Sequence, residues 1–189
     1  MVFTEDWLSR HIPVWEAVLD KKSKKVLEIG SFEGKSCVWF CENLEGCTVT
    51  CVDTFEGSME HTEETKSGLR ERFDENTEEY KDRITVLVGT SDKVLRTLPY
   101  EETYDVVYID GSHLSKDVLT DAILTWPLLK TNGIMIFDDY RWPTYVGTLQ
   151  HPAPGIHVFL NMFDGEFKVL HNEYQLILAK VPNEEVSPA

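Results

Sequence analysis

The run Val26-Leu27-Glu28-Ile29-Gly30-Ser31-Phe32-Glu33-Gly34-Lys35-Ser36 constrains the fold more than any other stretch of the chain. A short apolar segment ends near an acid, two glycines bracket a turn, and helical spacing follows. That order predicts a first strand, a tight loop and a first helix of a nucleotide-type α/β fold. A second acid, Asp53, closes the next apolar run, and Asp110, Asp138 and Asp139 close two later ones. Together they predict a cofactor site with a metal beside it.

Strand-like runs recur at Lys25–Ile29, Thr48–Val52, Ile84–Val88, Asp105–Ile109 and Ile134–Phe137. Helix-like stretches separate them at Lys35–Leu44, Glu63–Tyr80, Asp92–Leu98 and Ser115–Leu129. This alternation predicts a mostly parallel sheet with helices on both faces. The tail departs from it: a helix over Ile156–Phe163 leads into runs at Glu166–His171 and Tyr174–Lys180. The short link His171-Asn172-Glu173 allows only antiparallel pairing, so the sheet should end in a hairpin. Ahead of the first strand, Thr4 is placed to cap a short helix carrying Trp7, Leu8, His11 and Ile12, with Pro13 starting a second. Residues 1–24 thus read as a helical cap on a single domain covering 1–189, and Val181–Ala189 as a fraying tail.

The chain of 189 residues suits one domain with a sizeable core. Its net charge of -15 repels phosphate backbones, which argues against a nucleic-acid partner. No apolar run approaches the roughly 20 residues of a membrane helix, so no membrane insertion is expected. The start Met1-Val2-Phe3-Thr4-Glu5-Asp6 lacks the basic and apolar regions of a signal peptide. Cys37, Cys41, Cys47 and Cys51 contain no C-x-x-C pair and fall among apolar residues. They read as reduced core thiols in a cytoplasmic setting.

Ligands of an open parallel sheet bind beyond the carboxyl ends of its strands, where Gly30–Gly34 should lie. The spacing G-x-x-x-G is neither the dinucleotide fingerprint nor a Walker loop, which disfavours phosphate cradling. Asp53, roughly 20 residues on, is placed to accept both ribose hydroxyls or to cap a helix. Glu28 would face an ammonium group or order the loop. Ser31, Phe32, Ser36 and Thr54 complete this candidate cofactor set together with Gly30 and Gly34.

The chain resembles a class I S-adenosylmethionine-dependent methyltransferase from Asp6-Trp7 to the final hairpin. Leu27 to Gly34 resembles that family's first motif, Val52-Asp53 its ribose-binding acid, and Val88-Gly89-Thr90-Ser91 the loop along the adenine. The resemblance implies a Rossmann-like, mostly parallel seven-stranded sheet with a C-terminal antiparallel hairpin. It also implies S-adenosylmethionine as cofactor, with Gly89, Thr90, Ser91 and Asp110 among its contacts.

Two further segments narrow the class. Tyr108-Ile109-Asp110-Gly111-Ser112-His113 closes the fourth strand and Ile136-Phe137-Asp138-Asp139-Tyr140 the fifth. Parallel strands end on one edge, so Asp110, Asp138 and Asp139 should converge, and a cation relieves their repulsion. Hard oxygen ligands suit Mg²⁺, with Mn²⁺ or Ca²⁺ as alternatives. The arrangement is similar to catechol and caffeoyl-coenzyme A O-methyltransferases, and closer to macrocin and aminocoumarin sugar O-methyltransferases. The catechol type carries asparagine at the Asp139 position, and a basic lysine where this chain has His113. By that resemblance His113 and Asp110 would be catalytic, with His113 as base. On the residues alone, the alternatives are a turn brace for Asp110, a loop cap for Asp138-Asp139, and a cap of the following helix or an indirect supporting role for His113.

Tyr140, Arg141 and Trp142 are placed to line an acceptor pocket. Phe55–Asn76, within a segment 54–80, reads as a lid or as a solvated amphipathic helix. The resulting expectation is a metal-assisted O-methyltransferase acting on a hydroxyl of a sugar, glycan or glycosylated small molecule, with a homodimer compatible. The alternatives are a phenolic or catechol-like acceptor, a cephalosporin-hydroxylase-like enzyme, and a non-catalytic cofactor-binding scaffold.

Overall fold

Apolar residues are continuous along the central strands because both faces of the sheet are covered. On the first strand, Leu27 and Ile29 join one core, while Val26 joins the other. The computed structural model describes residues 1–58 and 61–182. Residues 183–189 of the expected fraying tail, and Met59 and Glu60 of the expected lid, lie outside the described residues.

In chain order the elements are α1 (Ile12–Val18), β1 (Lys25–Ile29), α2 (Lys35–Asn43), β2 (Thr48–Asp53), α3 (Glu63–Lys66) and α4 (Leu69–Thr77). There follow β3 (Ile84–Val88), α5 (Ser91–Leu95), β4 (Tyr104–Ile109), α6 (Ser115–Thr125), β5 (Leu129–Phe137), α7 (Pro152–Met162), β6 (Phe167–Asn172) and β7 (Leu176–Lys180). The described strands form a seven-stranded sheet in the order β3-β2-β1-β4-β5-β7-β6. β1 to β5 are parallel, and β7 runs antiparallel to both β5 and β6. The Rossmann-like sheet and its terminal hairpin are as the sequence predicts.

One core gathers Leu95, Val118, Ala122, Trp126, Ile156 and Phe159 from the α5, α6 and α7 side. The other gathers Trp15, Phe40, Cys41 and Phe73 from α1, α2 and α4. Trp15 anchors it: the ring stacks on Phe40 with centroids 4.9 Å apart. Its Nε1 donates to Gln175 Oε1 at 2.8 Å, so the polar atom is satisfied as well. All four cysteines are buried and free, matching the core-thiol reading. No described helix is long and apolar enough to cross a membrane.

Three local expectations are corrected. The N-terminal segment forms no helix at Thr4–His11. Thr4 instead gives its N–H and its hydroxyl to the buried Glu33 carboxylate at 2.7 and 2.8 Å, tying the arm to the glycine loop. The long helix expected over Glu63–Tyr80 breaks at Gly68, whose φ of +68° is left-handed and ends α3 from α4. β5 begins earlier than expected because Leu129 pairs with Tyr104 ahead of a register shift.

Candidate active site

Strand order reverses between β1 and β4, and the crevice beyond their ends is where such sheets bind ligands. The parallel ladder continues past each strand. Gly30 N donates to Val52 O at 2.9 Å, Asp110 N to Ile29 O at 2.8 Å, and Asp138 N to Ile109 O at 3.0 Å. These bonds hold the glycine loop and the acids on one edge. They border a cavity of about 1080 Å³, room for a nucleoside-sized ligand and a second molecule.

Every candidate site residue lines this cavity except Glu28 and Gly34. Gly30, at φ +83°, packs so closely on the Asp110–Gly111 backbone that a β-carbon would sit 2.1 Å from Asp110 O. Asp53 organises the loop above: its carboxylate accepts from the N–H groups of Ser31 at 2.6 Å, Phe32 at 3.0 Å and Phe55 at 2.7 Å. Phe32 holds a left-handed φ of +48° inside that turn. Glu28 lies beneath, fully buried, and takes Ser31 Oγ at 2.9 Å and Cys37 Sγ at 2.5 Å. Burial pushes its carboxyl up to about 7, against the thiol and hydroxyl bonds. Glu28 is therefore placed as a brace for the loop rather than a group facing a ligand. Gly34 starts α2 and turns towards Phe73 and Thr77.

At the other end the acids take distinct places. Ligand atoms of Asp110, His113 and Asp139 lie within 4.8 Å of one another. His113 Nε2 is 3.0 Å from Asp139 Oδ2, and its ring meets Trp142 edge-on at 4.7 Å. Asp138 turns inward instead. It accepts from Tyr108 Oη, from Gln175 Nε2 at 3.0 Å and from the Asp139 N–H at 2.8 Å. Asp138 stands outside the close trio.

The electrostatics follow this packing. Burial first, then the charges of Asp138 and Asp139, push the Asp110 carboxyl well above its usual range. Burial and Asp139 push Asp138 up to about 6, against Tyr108, the Asp139 N–H and Gln175. Burial works the same way on Asp139, yet the bond from His113, its charge and the Tyr174 hydroxyl hold it below the carboxylate norm. Asp139 also keeps a left-handed φ of +54°, a conformation Asp tolerates better than most residues. Crowding of this kind favours a cation, and ligand atoms within 4.8 Å of one another fit around one ion. The Asp110 and Asp139 carboxylates of this group, with His113 beside them, thus fit a hard divalent metal.

Tyr108, Tyr174, Gln175 and Arg10 went unread in the sequence. Tyr174 gives its hydroxyl to Asp139, and the Arg10 guanidinium lies 3.9 Å over the Tyr174 ring. The one available signal was the hairpin: Phe137 pairs with Leu176, which brings residues 174–175 beside 138–139. Of the expected acceptor wall only Trp142 lines the cavity. Tyr140 bonds His157 and Arg141 pairs with Glu173, both facing away.

Fold and site together define the architecture of a class I methyltransferase. The chain belongs to the methyltransferase-domain family, whose model matches residues 27–140. It is 27% identical over 127 residues to the O-methyltransferase hkm8 of Aspergillus hancockii, covering 66% of this chain and 47% of that one. The chain thus spans about half the length of this curated relative. An O-methyltransferase from Bacillus cereus, solved in complex with SAH, superposes with a TM-score of 0.66 at 17% identity, covering 94% of this chain and 83% of the other. The MycE methyltransferase of the mycinamycin pathway, solved with Mg, SAH and mycinamycin VI, gives 0.65 at 18%, covering 100% and 53%. At such identities the two structures speak for the fold.

Proposed function

We propose that the protein is an S-adenosylmethionine-dependent O-methyltransferase assisted by a divalent metal, with a hydroxylated sugar or glycoside as acceptor. One observation carries this reading: a single cavity joins the Asp53-ordered glycine loop to the Asp110–His113–Asp139 group. Family membership supports methyl transfer, and hkm8 supports oxygen as the acceptor atom. MycE, solved with Mg, SAH and mycinamycin VI, supports the metal by likeness only, and the sugar rests on the resemblance to sugar O-methyltransferases.

Methyl transfer is an in-line displacement in which the acceptor oxygen attacks the sulfonium methyl and a neutral thioether leaves. Asp53 would receive the ribose hydroxyls, while Gly30 lets the ligand approach the backbone. Asp110 and Asp139 would hold Mg²⁺ or Mn²⁺, with Asp138 fixed behind them. When bound, the ion would lower the acceptor hydroxyl's pKa and fix its position. His113, oriented by Asp139 and Trp142, would take the hydroxyl proton. Trp142, which lines the cavity, would supply an apolar ring for a sugar to pack against. Glu56, Ser58, His61 and Lys66 line the cavity from the segment expected as a lid, and would cover the bound cofactor.

Calorimetric titration of S-adenosylmethionine, with Mg²⁺ and then with chelator, tests the reading. Micromolar binding is expected in both conditions, with turnover of glycosides lost on chelation. Absence of binding in both would sink the methyltransferase reading. Turnover that survives chelation would remove the metal. Asp53→Ala is expected to weaken S-adenosylmethionine at least about tenfold, as a charge-assisted contact and the loop's anchor are lost together. Unchanged affinity would take Asp53 out of the cofactor contact.

A further inference from the structure

Glu33 lies on the glycine loop at 1% exposure, yet the donors that reach its carboxylate come from elsewhere in the chain. Thr4, 29 residues earlier, gives its N–H to Oε2 and its hydroxyl to Oε1. Arg72, 39 residues later on α4, gives Nε to Oε1 at 2.6 Å. The same guanidinium reaches back to the carbonyls of Thr65 and Ser67, which fixes the junction of α3 with α4. Asn76 adds a second crossing. Its Nδ2 donates to the Glu33 and Val2 carbonyls at 3.1 Å each, and its Oδ1 accepts from Val2 N at 2.7 Å. At the rim the Trp7 ring stacks on His61 with centroids 5.7 Å apart, and both rings meet Phe32 of the loop at 5.0 Å. Phe3 and Trp7 line the cavity from the N-terminal arm, and His61 and Lys66 line it from the other segment.

We infer that Glu33 is a positioning residue that joins the N-terminal arm, residues 2–7, to residues 61–76 as one roof over the cavity, which opens as a unit and sets how long the cofactor and its demethylated product stay bound. The assignment rests on the S-adenosylmethionine reading. A buried carboxylate is costly unless its oxygens are bonded, so parting either segment from Glu33 leaves charge stranded. The two segments therefore do not loosen independently: when one lets go, the shared carboxylate holds the other less well. Glu33 follows Phe32, whose N–H is held by Asp53, so the roof is seated on the turn that Asp53 orders. Opening of the roof reaches the ligand through that turn.

The test has two readouts: release of tritiated S-adenosylhomocysteine into excess unlabelled ligand, and backbone hydrogen exchange of the unliganded protein. The proteins are wild type, Glu33→Gln, Thr4→Val, Arg72→Met and the Thr4→Val/Arg72→Met pair, each checked for folding by thermal melting. Glu33→Gln keeps the shape but leaves one acceptor oxygen for the donors of Thr4 and Arg72, and should release the ligand at least about tenfold faster. Thr4→Val and Arg72→Met should each speed release about fivefold. The pair should exceed the faster single by no more than about twofold, because either cut opens the same roof. In hydrogen exchange, Arg72→Met should speed residues 2–7, and Thr4→Val residues 69–76, each at least about fivefold. Exchange that rises only beside the mutated residue overturns the assignment, since that is what a merely structural role would give. So does a folded Glu33→Gln that releases ligand at the wild-type rate, or a pair whose effects multiply. Should Glu33→Gln fail to fold, the single variants and their pair decide on the same criteria. Wild type that binds no S-adenosylhomocysteine, while exchange still crosses the link, fails the cofactor reading: the joined roof then stands and its ligand-holding role falls.

Discussion

Gly30→Ala should abolish measurable S-adenosylmethionine binding and lower the unfolding midpoint by on the order of 10 °C. Two costs combine. At φ +83° any β-carbon is strained, by roughly 1–2 kcal/mol. The added atom would also lie 2.1 Å from Asp110 O and 2.7 Å from Gly111 Cα. Both neighbours are backbone, tied by the bond from Asp110 N to Ile29 O at 2.8 Å, so neither can swing aside as a side chain would. Relief requires β1 and β4 to part at their ends, at a further cost of about 1–3 kcal/mol. Ligand binding suffers more than stability because the displaced atoms carry Asp110 on one side and the Ser31–Phe32 turn on the other. Gly46→Ala supplies the control. Gly46 is also left-handed, at φ +63°, but a β-carbon there meets nothing within 4 Å. Thermal melts of the pair should separate strain alone from strain plus collision. Equal midpoints would mean the close approach at Gly30 is softer than its geometry implies.

The sequence made the parallel core legible because each central strand is buried on both faces and so reads as an apolar run ending in a turn. It made strand ends legible for the same reason: Gly30, Asp53, Asp110, Asp138 and Asp139 each follow such a run, and all line the cavity. Local signals misled where tertiary contacts overrode them. Thr4 has the chemistry of a helix cap, yet Glu33, 29 residues away, claims both its donors. Gly68 sits in a helical pattern that predicts one long helix, yet its left-handed φ splits α3 from α4.

The site's chemistry was legible in composition and not in arrangement. Three carboxylates at strand ends announce a cluster, but only packing shows that they are unequal. Asp138 is drawn inward by Gln175, 37 residues later, while Asp139 is drawn to His113 and Tyr174. Glu28 likewise fits either a ligand-facing acid or a loop brace by sequence, and only Ser31 from the loop and Cys37 from α2 decide between them. Tyr174 and Gln175 sit in the β6–β7 turn, His113 in the loop after β4 and Cys37 on α2, so apart from Ser31 no pattern local to the acid encodes its partner.

That inequality yields the second large effect. Asp139→Asn should cut methyl transfer at least about 100-fold, equivalent to about 2.7 kcal/mol of transition-state stabilisation, and leave S-adenosylhomocysteine affinity within about threefold. Asparagine keeps the size and the tolerance of the +54° backbone, so a fold defect does not confound the result. It removes the charge that His113 Nε2 meets at 3.0 Å and one of the oxygens grouped around the candidate ion position. Both the metal and the base then lose their anchor, which is why the effect should fall on turnover. The cofactor contacts proposed for Asp53 and Gly89 lie on other loops of the cavity wall and should not register it. Asp138→Asn is the contrast: its bonds to Tyr108 and Gln175 belong to the core, so it should cost more in stability than Asp139→Asn does. Steady-state turnover with and without chelator, beside melting curves for both variants, separates the roles. Asp139→Asn retaining full, chelator-resistant activity would sink the metal mechanism, whereas loss in Asp138→Asn alone would move the ion's anchor inward to Tyr108 and Gln175.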